Sequence, residues 1–240
     1  MSGYFEILAH EETSLGVLCL RRRELLGRPG TFATEITLNH EFLMSSYNTA
    51  SERALADCAL EFLGGDSNDV RVLVGGLGLG YTAWQVLQSS RVANVEVIEF
   101  LAPVIRWLEE GLIPLSEELR GESRLHITQG DVYAMLVGAP SETYDLILID
   151  VDHSPDERLD LHDRDSGPGA FYTEAGLRRA KAHLAPGGVL AVWSYDESSP
   201  FVDALRSVFD EVRVERVEFE NDLIDETSTD LLFLAKDRVG

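Results

Sequence analysis

"VRVLVGGLGLGYTAW", residues 70–84, is the stretch on which the fold turns. Its first residues are apolar or β-branched at nearly every position, as in a strand buried on both faces. Gly75, Gly76, Gly78 and Gly80 follow within six positions, and Tyr81 opens a helix-spaced segment over residues 81–89. A strand that turns through glycine into a helix presents bare main chain at the helix N-terminus. Ligands that need close backbone contact dock at such turns.

Outward from this turn the chain alternates. "NVEVIEF" (94–100), "RLHITQ" (124–129), "YDLILID" (144–150) and "VLAVW" (189–193) read as strands. Helical spacing separates them over residues 103–111, "VYAMLV" (132–137) and "FYTEAGLRRAKAHL" (171–184), and recurs after the last over residues 200–209. "APGG" (185–188) stops the helix before it and admits the strand. "EVRVERVEF" (211–219) and "TDLLFLAK" (229–236) then follow with no room for a helix between them. Alternating βα units predict a parallel sheet with helices on both faces, and the closing pair predicts an antiparallel addition. The fold class is therefore α/β, a seven-stranded, mostly parallel Rossmann-like sheet preceded by a small N-terminal β segment. In such sheets ligands bind beyond the carboxyl ends of the strands, where strand order reverses.

Before the turn, residues 4–26 offer two strand-like runs around 11–16, "TFATEITL" (31–38) alternates at period two, and "ASERALADCALEFL" (50–63) is a helix. "GGDSND" (64–69) breaks it. The expected division is residues 1–65, an N-terminal hairpin segment with its linking helix, and residues 66–240, the Rossmann-like domain. The first residues carry no basic segment before an apolar core, so no signal peptide is read. No apolar run approaches the ~18–20 residues that cross a bilayer. Cys19 and Cys58 lack metal or disulfide spacing and read as reduced thiols. These features predict a cytoplasmic protein. Forty-two acidic against twenty basic residues give a net charge of −22. That field repels phosphate backbones and favours small cations, so the expected partner is a small cationic molecule, without nucleic acid or membrane.

Three ligands compete for the glycine turn. A phosphate-cradling loop needs a lysine after its last glycine, and Tyr81 stands there, so ATP is excluded. A dinucleotide fingerprint needs G-x-G-x-x-G, whereas residues 76–80 read G-x-G-x-G. Glu99, ending the second strand, keeps NAD open as the lesser reading. The third reading joins the turn to Glu99 and to Asp131, which follows the third strand. Together these resemble the class I S-adenosylmethionine-dependent fold. Glu99 can accept the ribose hydroxyls, each charged hydrogen bond contributing about 1.5–3 kcal/mol, and Asp131 the adenine amino group.

Within that fold the chain, from about Thr34 onward, resembles the spermidine synthase family, the polyamine aminopropyltransferases. The family's "GGGDGG" followed by "VEID" stands here as "GGLGLG" and "VIEF". Its "YDVIIVDSSDP" stands as "YDLILIDVDHSP", and "GPGAFYTEAGLRRAKAHLAPGGVLAVW" is similar to its next conserved stretch. "EITLNHEFLMSS" resembles the hairpin that leads into its acceptor-side helix. The resemblance implies that Gly75, Gly76, Gly78, Gly80, Glu99 and Asp131 hold the nucleoside. It makes Asp150 the general base with Asp152 beside it, and implies a homodimer joined through the N-terminal strands. The departures are specific. Gly78 replaces the acid of the turn, His153 the second acid of "DSSDP", and Met44 stands near the family's hairpin glutamine. Of the helix motif "DE..YHE" only Glu52 survives.

The expected function is transfer from S-adenosylmethionine or its decarboxylated form, used as co-substrate, to a small amine. The alternatives are methyl transfer to a small molecule, which the loss of the turn acid favours, and nucleoside binding without catalysis. No metal is expected. His153 and His162, with aspartates nearby, could ligate a metal only from within a single loop, and no G-x-S-x-G elbow supports hydrolysis. Trp193, ending a strand at the ligand edge, is a candidate wall of the acceptor pocket.

Overall fold

The computed structural model describes residues 4–25, 27–151, 168–221 and 226–238. Four antiparallel strands open the chain, β1 (Phe5–Thr13), β2 (Gly16–Glu24), β3 (Phe32–Leu38) and β4 (Glu41–Ser45), paired in that order. Their inner face carries Leu18, Leu20, Ile36 and Leu38, all buried. Glu35 is buried in the same sheet, 1% exposed, and is neutralised by Arg21 at 2.8 Å and Arg23 at 2.7 Å. Helix α1 (Ala50–Leu63) follows, with Leu55, Ala56, Ala59 and Phe62 on its buried face, and Gly64 ends it. It packs against the helix and strands that form the main sheet, described next.

The glycine turn joins β5 (Val70–Gly75) to α2 (Tyr81–Leu87). Then come β6 (Val92–Glu99), α3 (Ala102–Glu110), α4 (Ser116–Arg120), β7 (Leu125–Gln129), α5 (Val132–Val137) and β8 (Tyr144–Ile149). After the undescribed residues 152–167 the chain continues as α6 (Pro168–Phe171), α7 (Glu174–Lys181), β9 (Leu184–Ser194) and α8 (Ser199–Val208). It closes with β10 (Glu211–Asn221) and β11 (Glu226–Lys236). The strand order is β10-β11-β9-β8-β5-β6-β7, parallel from β9 to β7, with β11 and β10 added antiparallel. This is the expected seven-stranded arrangement. One layer of apolar side chains joins α1, α2, α3 and the N-terminal sheet to one face. A second joins α5, α6, α7 and α8 to the other. Among the described residues no helix is long and apolar enough to cross a membrane.

Two local expectations are corrected, and one short helix was not read. The helix read over residues 171–184 is two helices, because Thr173 leaves the helical path and caps the second. Its hydroxyl oxygen accepts from Gly176 N at 3.1 Å and donates to Ala170 O at 2.7 Å, a local bond that competes with helix propagation. The "APGG" segment belongs to β9, which begins at Leu184. Helix α4 is too short to show a period in sequence.

Strand order reverses around β5, whose neighbours are β6 on one side and β8 on the other. The crevice that Rossmann-like sheets use therefore lies beyond Gly75 and Ile149.

Candidate functional site

Backbone bonds carry the parallel ladders one residue past the strands. Asp150 N donates to Gly75 O, Gly76 N to Ile98 O and Gly130 N to Glu99 O, each at 2.9 Å. The residues that follow β8, β5, β6 and β7 are thereby fixed in one row. Asp150, the glycine turn, Glu99 and Asp131 all stand along it, so sequence positions up to 75 apart become neighbours.

Gly76 sits at φ 96, and a Cβ there would lie 2.2 Å from the carbonyl oxygen of Asp150. A side chain would fail on both counts. Gly78 is also left-handed, at φ 51, and the space its side chain would take is filled by Met44, whose Sδ and Cε lie 2.6 Å from an added Cβ. Where the family resemblance leads one to expect a carboxylate in the turn, this chain has a thioether packed on glycine. Gly75 ends β5 against Val132 and Ile149, and Gly80 is the left-handed N-cap of α2.

Glu99 is 7% exposed. Its Oε2 accepts from Leu77 N at 2.8 Å and its Oε1 from Leu101 N at 2.7 Å. Burial raises its pKa, and these amides oppose the rise. Glu99 thus staples the glycine turn to the end of β6. The amides of Gly78 and Phe100 also face this carboxylate, whose two oxygens are the acceptors that ribose hydroxyls would use. Phe100, the next residue, is 46% exposed and offers an aromatic face beside it. Asp131 caps α5: its Oδ1 accepts from Tyr133 N at 2.9 Å and Ala134 N at 3.1 Å. Its Oδ2 meets no donor among the described residues, so capping leaves one oxygen for a ligand amine. The turn, Glu99, Phe100 and Asp131 together have the donor set and the bare backbone that an adenine nucleoside requires.

Asp150 closes the row on its other side. Its Oδ2 accepts from Thr82 Oγ1 at 2.5 Å, and that hydroxyl, 2% exposed, lies 3.3 Å from the carbonyl oxygen of Glu52. Burial first, and then the charge of Asp230, push the Asp150 carboxyl up to about 6, against the Thr82 bond. Glu52 on α1 is pushed up to about 8, by burial and then by the charge of Asp150. Asp230 on β11 is raised by burial and held back by hydrogen bonds from Ser51 and Trp193. The indole Nε1 of Trp193 donates to Asp230 Oδ2 at 3.1 Å, and Ser51 Oγ donates to the same oxygen. Trp193, read from sequence as a pocket wall, is thus a donor to an acid that the sequence reading missed.

Asp152, with His153 and His162, lies outside the described residues. Thr82, Ser51, Phe100 and Asp230 were not read from sequence. An exposed aromatic beside Glu99 and an acid opening the apolar run "TDLLFLAK" were the available signals.

No family model matches the chain. Over 125 residues it is 33% identical to polyamine aminopropyltransferase 2 of Streptomyces coelicolor, a match that covers 51% of this chain but only 21% of that protein. Among solved structures, spermidine synthase from Thermotoga maritima superposes with a TM-score of 0.70 at 16% identity, over 98% of this chain and 73% of that one. A spermidine synthase in complex with the transition state analogue AdoDATO gives a TM-score of 0.70 at 17% identity, over 98% and 74%. A probable spermidine synthase from Corynebacterium glutamicum gives 0.61 at 17%, over 100% and 81%. Over nearly its whole length the chain shares the fold of these spermidine synthases, and about half of it is similar in sequence to part of the polyamine aminopropyltransferase, of which it spans about a fifth.

Proposed function

We propose that the protein transfers a group from a sulfonium nucleoside, S-adenosylmethionine or its decarboxylated form, to the nitrogen of a small amine. The observation that carries this reading is Asp150, a half-buried carboxylate at the strand-order reversal, touching the glycine turn through its backbone and free of any basic partner among the described residues. The polyamine aminopropyltransferase relative and the spermidine synthase fold support it.

The chemistry asks for such a group. An alkylamine has a pKa near that of lysine, ~10, so freeing it at neutral pH costs about 4 kcal/mol. Asp150 offsets part of that cost by taking the proton next to the reacting nitrogen as the bond forms. At about 6 its pKa leaves it ionised at neutral pH, yet makes it a stronger base than an ordinary carboxylate. The nitrogen lone pair forms the new C–N bond, the C–S bond breaks, and its electron pair neutralises the sulfonium. The proton from nitrogen ends on Asp150. Glu99, Asp131 and the main chain at Gly76 and Gly78 hold the nucleoside, so the reacting carbon is aligned before the amine arrives. Asp152 is the second acid of this reading. The N-terminal sheet leaves Phe5, Ile7 and Phe42 more than half exposed, and this face is the proposed contact of a homodimer.

The test is calorimetric titration with S-adenosylmethionine, its decarboxylated form and methylthioadenosine, followed by turnover with amines. Asp150→Asn should bind the donor as the wild type does and lose about 10²–10⁴-fold in turnover. A preference for the intact donor moves the reaction to methyl transfer. Binding of none of the three refutes the nucleoside site.

A further inference from the structure

The segment that joins β4 to α1 lies over the glycine turn. Met44 packs on Gly78, and Ser46 hydrogen-bonds the hydroxyl of Tyr81, the residue after Gly80. Arg53, near the start of α1, continues this cover. The centre of its guanidinium lies 4.8 Å from that of the Trp84 ring and 5.7 Å from that of the Tyr81 ring. Its Nε donates to Thr49 Oγ1 at 3.0 Å. Its charge opposes the rise that burial gives the Glu52 and Tyr81 pKa values. Yet it forms no ion pair among the described residues, and its Nη protons meet no acceptor there. A guanidinium stacked on rings keeps the edge of its plane open, and that edge matches a carboxylate through two parallel N–H bonds. The dipole of α1 disfavours a cation so near its N-terminus and favours an anion brought to the same place. In a chain of net charge −22, an anionic group is admitted only where a cation meets it, and Arg53 stands beside the turn with those donors available.

The two sulfonium donors differ only in the chain on sulfur. The intact donor carries a carboxylate beside its ammonium, and the decarboxylated donor ends in an ammonium alone. With Glu99 and Asp131 holding ribose and adenine on the β6 and β7 side, that chain extends toward Asp150 and the start of α1. Thr82 ties these two together, bonded to Asp150 and 3.3 Å from the carbonyl oxygen of Glu52, the residue before Arg53. Gly78 and Met44 bring no anion to a lone ammonium, and Arg53 repels it. We propose that Arg53 selects the donor: its guanidinium, stacked on Trp84, receives the carboxylate of intact S-adenosylmethionine, a group that the decarboxylated form lacks. This rests on the transferase reading above and decides between the two donors which that reading leaves open. Arg53 is a binding residue, and Thr49 and Trp84 position it.

The experiment titrates the full chain by calorimetry with S-adenosylmethionine, its decarboxylated form and methylthioadenosine, which lacks the chain altogether. The wild type should bind the intact donor more tightly than the decarboxylated one. Arg53→Gln keeps a polar side chain but loses the charge and the fork. Affinity for the intact donor should fall about ten- to a hundredfold, the range for a hydrogen bond to a charged group, with methylthioadenosine unchanged within about twofold. The decarboxylated donor should hold or gain affinity. Arg53→Met, which keeps an apolar stem on the Trp84 ring, reads the same ratio if the Gln variant folds poorly. A wild type that prefers the decarboxylated donor overturns the role of Arg53 while leaving the transferase reading standing. So does a variant that keeps the wild-type ratio or weakens all three ligands alike. Binding of none of the three by the wild type refutes the transferase reading, and the role of Arg53 with it.

Discussion

Replacing Glu52 with glutamine should stabilise the protein at alkaline pH and do little at acid pH. The argument starts from burial: Glu52 is carried from its usual 4.5 to about 8, because α1 holds it away from water next to the charge of Asp150. A carboxyl whose pKa is raised by folding lends stability while protonated. That contribution is complete below the unfolded value and is lost as pH rises through the folded one. Between 4.5 and about 8 the loss accumulates at about 1.4 kcal/mol per pH unit, with a ceiling of about 5 kcal/mol. Glutamine mimics the protonated form at every pH, so the variant escapes the loss. We expect Glu52→Gln to be more stable than wild type by about 2–4 kcal/mol at pH 8.5 and by under about 1 kcal/mol at pH 5. For a chain of this size that is a rise in Tm of about 5–15 °C at the higher pH. Thermal melts of both proteins without ligand, at half-unit steps from pH 5 to 9, read it directly. A difference in Tm that stays constant across the series, or grows toward acid pH, refutes the placement of Glu52 in a half-buried acidic cluster.

Other consequences follow from the same geometry. Gly76→Ala puts a methyl group 2.2 Å from the Asp150 carbonyl at φ 96, and should cost about 2 kcal/mol or more in urea unfolding together with donor binding. Thr173→Ala removes the cap that separates α6 from α7, and should lower stability by about 1 kcal/mol with donor affinity unchanged. Glu35→Ala leaves Arg21 and Arg23 facing one another without their shared buried carboxylate, and should cost about 2–4 kcal/mol in chemical denaturation. The loss should shrink in Glu35→Gln, which still accepts hydrogen bonds.

How far this molecule can be read without coordinates differs between the two halves of the site. One half of the candidate site was legible because it is built at the ends of parallel strands, which deliver their last and following residues to the ligand edge. Glu99 ends one and Asp131 and Asp150 follow others, so counting along the chain placed them at that edge. Asp230 lies in the first half of its strand, and only the antiparallel course of β11 brings it to the same edge. Thr82 and Ser51 were hidden for another reason. Each lies in the first turn of a helix, where a small hydroxyl reads as filler or cap, and its partner is 68 or 179 residues away. The split of the helix after Phe171 escaped because Thr173 keeps the apolar spacing while its hydroxyl takes the backbone bond.

That difference bears on how the base is tuned, and Thr82 is where it can be measured. Its hydroxyl is the one hydrogen-bond donor to the Asp150 carboxylate among the described residues, and the bond lowers a pKa that burial raises. Thr82→Val keeps the shape of a residue 2% exposed and removes that donor. The carboxylate then loses a charge-assisted bond of about 1.5–3 kcal/mol, enough to move its pKa upward by about one to two units. The acid limb of kcat/KM against pH, which tracks ionisation of Asp150 in the free enzyme, should shift to higher pH by that amount. Thr82→Ser, which restores the donor, should return it. Donor affinity should not change in either variant, because Glu99 and Asp131 are held by backbone amides that Thr82 does not touch. An acid limb that stays in place while overall activity falls would mean that Thr82 only packs α2 against α1 and β8. Ionisation of Asp150 would then be governed by burial and the surrounding carboxylates.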